Sequence, residues 1–342
     1  MIDPTLPAAR EAYAQLRRYF PPSRLVGASA LSAQTKAQVY LKLESDLPTG
    51  SFKPRGALHA LAQRAARGPV RTVTASSTGN HGAAVAFAAQ RLGVPATIFL
   101  PANPNPVKRA RIASLGARIV ENGVDLHAAF EGAAAYAAEP GVYFLNDATD
   151  PDLPAGPGTI ALEIFEQLPS VDTIVVPMGD TALIRGVAAV AKQLSPAVRI
   201  VGVQATRAPS YFLSWKDGRV ITTDTCDTIA DGLATRTPEA DNVRAIRDLV
   251  DEVVLVSEDE MLAAICHLAS EEHVIAEPAG AAATAALLHG KLRAGAHTVL
   301  LVTGANITPD VLRSACALLP DFVLPVAAVR ASAEGVFQSS EE

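Results

Sequence analysis

Residues 49–57 read TGSFKPRGA. Lys53 stands directly before Pro54, and proline is favoured at the first position of a helix, so Lys53 falls at a helix N-terminus. The residues beyond agree: Ala57, Leu58, Leu61, Ala62 and Ala65 keep helical spacing until Gly68 stops the run. The positive end of the helix dipole disfavours an ammonium at that place. A lysine that sheds its proton readily can form a Schiff base with an aldehyde. Taken alone, the segment also fits a surface lysine whose stem covers apolar neighbours.

On either side of this segment, short β-branched runs alternate with Ala/Leu-rich helical stretches. The strand-like runs are Val39–Leu43, Arg71–Ala75, Ala96–Leu100, Arg118–Val120, Thr173–Val176, Arg199–Val203 and Thr298–Val302. Ser257 with Glu260 reads as a capping box opening a helix over Glu258–Ala269. Such alternation predicts an α/β fold whose mostly parallel sheets are flanked by helices. Pro and Gly cluster in DPDLPAGPG (150–158), the expected crossing between two lobes.

The 342 residues predict about two domains. With 29 Lys plus Arg against 35 Asp plus Glu the formal charge is −6, a poor match for nucleic acid. Apolar runs such as Val299–Val302 are far shorter than a membrane span. The N-terminus carries Asp3 and early prolines where a signal peptide needs a basic region and an apolar run, so a cytoplasmic location is expected. Cys226, Cys266 and Cys316 form no C-x-x-C pair and are expected as free thiols.

Ligands of open α/β sheets bind past the carboxyl ends of strands, where small-residue turns lead into helices. Besides the lysine turn, three segments have this form: ASSTGNHG (75–82), PMGDTALIRG (177–186) and TGAN (303–306). The hydroxyls of ASSTGNHG suit a carboxylate, although an ordinary N-cap reads the same way. PMGDTALIRG has the layout of a phosphate cradle without being a P-loop, since no G-x-x-x-x-G-K-[ST] occurs. No H-E-x-x-H or G-x-S-x-G is present, and His267 and His273 are too far apart for joint metal ligation on one helix face.

Taken together and in this order, the segments resemble the fold-type II pyridoxal-phosphate enzymes. Within these they are most similar to the serine/threonine dehydratase and serine racemase family. The resemblance runs from about Leu41 to Leu318 and includes GTIALEI (158–164), TIADGLA (228–234) and EPAGAA (277–282). It implies a two-lobed, tryptophan-synthase-β-like architecture: a large cofactor-binding domain from 1–53 plus 156–330 and a small inserted domain over 54–155; the polar composition of 331–342 predicts a disordered tail there. It implies pyridoxal 5′-phosphate on Lys53, Phe52 beside the ring, Asn80 on its O3′, and Thr303 facing the pyridine nitrogen. The phosphate would take the backbone N–H groups of Gly179, Asp180, Thr181, Ala182 and Leu183. Ser76, Ser77, Thr78, Gly79 and His81 would bind the substrate carboxylate, and Lys53 would move the Cα proton. A homodimer acting on a small amino acid is the family expectation.

Several positions depart from the family pattern. Asp180-Thr181-Ala182 replace a run of glycines in the phosphate loop. We expect Thr181 to donate its hydroxyl to the phosphate and Arg185 to offset Asp180, unless every contact there is main-chain. Thr78 stands where racemases place the serine that delivers a proton on the second face; its hydroxyl can still serve, but the change favours elimination. Gln204 and Ser210 fall where cation-binding members carry carboxylates, so no metal is expected. The implied activity is dehydration of a β-hydroxy α-amino acid to a 2-oxo acid and ammonia. A racemase, a threonine-synthase-like replacement enzyme and a non-catalytic binder of cofactor or amino acid are the alternatives. Substrate discrimination is expected on loops near Tyr211–Trp215 and Asp231–Arg236.

Overall fold

The computed structural model describes residues 3–104 and 106–318. The expected tail over 331–342 therefore lies outside the described residues. Among the described residues ten strands form two sheets: β1 (Leu25–Gly27), β2 (Gln38–Leu43), β3 (Thr72–Ser76), β4 (Ala96–Leu100), β5 (Arg118–Glu121), β6 (Val142–Phe144), β7 (Thr173–Pro177), β8 (Arg199–Ala205), β9 (Glu252–Val256) and β10 (His297–Val302). The larger sheet has the order β1-β2-β10-β7-β8-β9 and the smaller β5-β4-β3-β6. Every pairing is parallel except β1 with β2. All four strands of the smaller sheet fall between Thr72 and Phe144.

Each predicted strand is present within two residues of its expected ends. The sequence reading missed β1, β6 and β9. Two of these have only three residues, too short for an alternation to register. The capping box at Ser257 is reciprocal: Glu260 N–H donates to Ser257 Oγ at 3.2 Å, and Ser257 N–H donates to Glu260 Oε2 at 2.8 Å. Tyr211–Trp215, expected on a loop, belongs to the helix Ser210–Asp217, and Tyr211 is wholly buried.

Glycine sets how closely the site-bearing helices approach. A Cβ on Gly156 would meet the Arg55 carbonyl at 2.3 Å, and one on Gly186 the Pro154 carbonyl at 2.3 Å. The helices Lys53–Ala66, Ala155–Gln167 and Ala182–Leu194 thus pack backbone to backbone. Ala182 joins the core made by Leu58, Ala84 and Leu153, so the turn after β7 is seated against the smaller sheet's layer.

A buried ionic cluster locks the start of the lysine helix. Arg55 Nε donates to Glu44 Oε2 and Arg55 Nη1 to Glu163 Oε1, each at 2.7 Å. Lys42 Nζ donates to Glu163 Oε2 at 2.7 Å, and Ser23 Oγ to Glu44 Oε1 at 2.5 Å. All four charged side chains are at most 2% exposed. Such a cluster contributes little net stability over an apolar replacement but is costly to break. It holds Arg55, two residues after Lys53, in one orientation.

Candidate active site

Lys53 opens the helix Lys53–Ala66, with Pro54 in its first turn as expected. The segment before it is tied to the end of β10: Phe52 N–H donates to the Thr303 carbonyl at 3.0 Å, and Ser51 bridges Gly304. Lys53 Nζ lies 2.6 Å from Asp147 Oδ2, with both side chains 21% exposed. Asp147 follows β6, which pairs with β3, and β3 ends at Ser76. Parallel pairing therefore brings Asp147 beside the second small-residue turn.

That turn runs from Ser76 into the helix Asn80–Leu92. Ser77 Oγ accepts from the Gly79 N–H at 3.2 Å, and the buried Ser76 hydroxyl has no hydrogen-bond partner among the described residues. A Cβ on Gly82 would meet the Ser77 carbonyl at 2.2 Å, so the turn folds tightly over its helix. His81 is buried beneath it. Its Nε2 faces the Leu145 carbonyl at 2.8 Å and its Nδ1 lies 3.8 Å from Asp147 Oδ2. Burial lowers the His81 pKa from its ordinary value. Asn80 donates through Nδ2 to Glu277 Oε1 at 2.7 Å and accepts from Asn306 Nδ2 through Oδ1. Asn306 also donates to the Thr49 carbonyl at 2.9 Å, which closes a ring of contacts around the lysine turn. Burial pushes the Glu277 carboxyl up, with the Asn80 hydrogen bond opposing it.

The turn after β7 leads into the helix Ala182–Leu194. Thr181 precedes that helix at φ 68°, a left-handed conformation that costs a β-branched residue strain. Its hydroxyl is buried beside that of Tyr211, without a hydrogen bond of good geometry. A Cβ on Gly179 would meet the Gly232 carbonyl at 2.2 Å. Asn242 fastens the turn from behind, donating to the Ala148 carbonyl at 3.0 Å and to the Tyr211 hydroxyl at 3.2 Å.

The expected Arg185–Asp180 compensation is not formed. Arg185 leaves the helix towards the N-terminal segment, 3.8 Å from Asp3 Oδ1. Asp180 Oδ1 accepts instead from the Thr235 hydroxyl at 3.1 Å. Burial, then the charge of Asp147, push the Asp180 carboxyl up to about 6, with Lys53 opposing. Gln204 and Ser210 are engaged within the fold: Gln204 Oε1 accepts from Phe212 N–H at 2.9 Å and Ser210 donates to the Thr235 carbonyl at 2.6 Å.

The lysine turn, hydroxyl turn and TGAN segment are thus hydrogen-bonded to one another, and Asp180 of the phosphate-cradle turn lies near enough to Asp147 and Lys53 to feel their charges. Residues 16–304 match the family model "Pyridoxal-phosphate dependent enzyme". The chain is 37% identical to an L-threonine ammonia-lyase of Thermotoga maritima, over 90% of this chain and 77% of that protein. It is 35% identical to a catabolic L-threonine dehydratase of Escherichia coli, over 81% of this chain and 85% of that one. Among solved structures it is similar to maize serine racemase, with a TM-score of 0.88 and 27% identity, covering 98% of this chain and 100% of that one. It is also similar to threonine deaminase isoform 2 of Solanum lycopersicum, with a TM-score of 0.85 and 30% identity, covering 91% and 87%. The chain belongs to the pyridoxal-phosphate-dependent enzymes of fold type II.

The residues present fit that cofactor. Lys53 offers the amine for its aldehyde. The buried Thr181 hydroxyl, without a hydrogen bond of good geometry among the described residues, and the first N–H groups of the helix Ala182–Leu194, which lack intrahelical acceptors, offer donors for its phosphate. Asp147 and Asn242 escaped the sequence reading; Tyr211 and Thr235 fall in the stretches expected to discriminate substrate, Tyr211–Trp215 and Asp231–Arg236, and stand against Thr181 and Asp180 of the turn after β7. Asp147 was reachable by the strand-end rule had β6 been recognised.

Proposed function

We propose that the chain is an ammonia-lyase that converts a serine- or threonine-like β-hydroxy α-amino acid into a 2-oxo acid and ammonia. The observation that carries this reading is the placement of Lys53, its Nζ 2.6 Å from Asp147 and its helix beside the hydroxyl turn Ser76–Asn80. Sequence identity of 35% to 37% with threonine ammonia-lyases and dehydratases supports it. A homodimer, a cytoplasmic location and the division into 1–53 plus 156–330 and 54–155 belong to the same reading. Among the described residues no helix is long and apolar enough to cross a membrane.

In this scheme the turn Ser76–His81 holds the substrate carboxylate with hydroxyls and backbone N–H groups at a helix N-terminus. Phe52 packs beside the cofactor ring, Asn80 takes its O3′ and Thr303 its nitrogen, while residues 179–183 hold the phosphate. Pyridoxal phosphate, when bound, draws off the electron pair left at Cα. Lys53 would hold the cofactor by its amine and, when that amine is free, would take the Cα proton. The β-hydroxyl would depart as water, with Thr78 of the same turn assigned to assist proton transfer. The test is release of ammonia and 2-oxo acid from a panel of β-hydroxy amino acids by the cofactor-loaded protein, with Lys53→Ala as control. Release that depends on Lys53 is expected; D-amino acid without ammonia, or silence across the panel, rejects the reading.

A further inference from the structure

Asp147 enters the site from the loop between β6 and the helix Ala155–Gln167, and the scheme above gives it no task. Its Oδ2 lies 2.6 Å from Lys53 Nζ and 3.8 Å from His81 Nδ1. Burial works against its charge, yet His81 when protonated and Lys53 together hold its carboxyl well below the usual carboxylate range. Burial lowers the His81 pKa from its ordinary value, and Lys53 is the nearer of the two cationic partners, at 2.6 Å against 3.8 Å. Asp180 is a second carboxylate on the same side, anchored by Thr235 at 3.1 Å, and its charge has the same sign.

The chemistry fixes how near a substrate must come. A base that takes the Cα proton works from hydrogen-bond distance, and Cβ is one bond from Cα. Any group on Cβ therefore comes within a short Coulomb range of Asp147, in a partly buried site where such terms are strong. Once Lys53 gives up its ammonium charge to act on substrate, Asp147 faces that group without its partner. A hydroxyl or an ammonium can donate to the carboxylate; a second carboxylate meets repulsion.

We propose that Asp147 selects the substrate's β-substituent by charge, admitting amino acids whose group at Cβ is an uncharged hydrogen-bond donor or a cation and rejecting those with a carboxylate there. This rests on the ammonia-lyase reading and narrows its substrate class. Two pairs of compounds test it on the cofactor-loaded protein. L-Serine and 3-hydroxyaspartate share the leaving hydroxyl and differ by the added carboxylate; L-asparagine and L-aspartate are near-isosteric and differ in charge. Turnover is followed for the first pair, and binding, through the cofactor's absorbance, for the second.

The wild-type protein is expected to favour serine in kcat/KM and asparagine in affinity by about tenfold or more. Asp147→Asn is expected to bring both ratios most of the way to one, and Asp147→Ser to do the same without the amide. Equal treatment of the two members of each pair by the wild type, or ratios unmoved in both variants, overturns the proposal. Serine turnover with equal use of 3-hydroxyaspartate sinks charge selection alone. A preserved asparagine preference without ammonia from any hydroxy amino acid sinks the lyase reading and leaves charge selection standing.

Discussion

The backbone N–H of Phe52 donates to the carbonyl of Thr303 at 3.0 Å, so the turn that carries Lys53 moves with the end of β10. Gly304, the next residue, sits under Glu277, and a Cβ there would meet Glu277 Oε1 at 2.2 Å. Glu277 is the acceptor for Asn80 at 2.7 Å. Gly304→Ala is therefore expected to push Glu277 aside, free Asn80 and weaken cofactor binding about tenfold, one lost hydrogen bond to a charged group. Titration of the cofactor-free protein with pyridoxal phosphate, followed by absorbance, checks it.

Thr181 should respond oppositely in two measurements. Its φ of 68° is strained for a β-branched residue, so Thr181→Gly is expected to stabilise the cofactor-free protein by about 1 kcal/mol in denaturant unfolding. The same change removes the buried hydroxyl and is expected to weaken cofactor affinity severalfold. Unchanged affinity would mean that the phosphate is held by main chain alone.

The buried cluster is expected to fail in acid. Burial opposes the charge on Glu163, but Arg55 and Lys42 hold its carboxyl below the ordinary 4.5. A carboxyl lowered in the folded state contributes stability that is full above its unfolded pKa and is lost as pH falls through the folded one. Glu163→Gln is expected to cost about 3–5 kcal/mol at neutral pH, because it leaves Lys42 and part of Arg55 unpaired in the core. Urea unfolding at pH 7 and below pH 4 should show the difference shrinking in acid.

Asp180 has the reverse sign. Its folded pKa of about 6 lies above the ordinary 3.8, so the folded state holds the proton more tightly and stability falls as pH rises through that window. Asp180→Asn is expected to stabilise the cofactor-free protein at pH 8 by on the order of 1–2 kcal/mol, with little effect at pH 4. Unfolding curves at the two pH values read this directly.

The fold was legible where β-branched runs were long enough to show a period. Val39–Leu43 and Thr298–Val302 were read apart and lie paired in parallel, Val39 opposite Thr298 and Leu43 opposite Val302. The lysine turn and its helix could be read because Pro54 and the spacing from Ala57 to Ala65 are local signals. Arg55 and Glu163 lie within quoted segments, yet their burial was hidden: helical spacing gives a charged residue to the solvent face, and only the packing of the helices Lys53–Ala66 and Ala155–Gln167 against each other encloses them. Asp147 lies 94 residues from Lys53 and is brought to it by the pairing of β6 with β3. Arg185 was misread for a related reason, since sequence distance to Asp180 says nothing about which side of the helix faces the N-terminal segment.

We propose Lys53 as the amine that carries the cofactor. Borohydride reduction of the pyridoxal-phosphate-loaded protein, followed by proteolysis and mass measurement of the labelled peptide, tests this. A reduced cofactor fixed on Lys53, and absent from Lys53→Ala, is the expected result. A label on another lysine such as Lys42 or Lys108, or none on a protein that still binds the cofactor, would contradict the account.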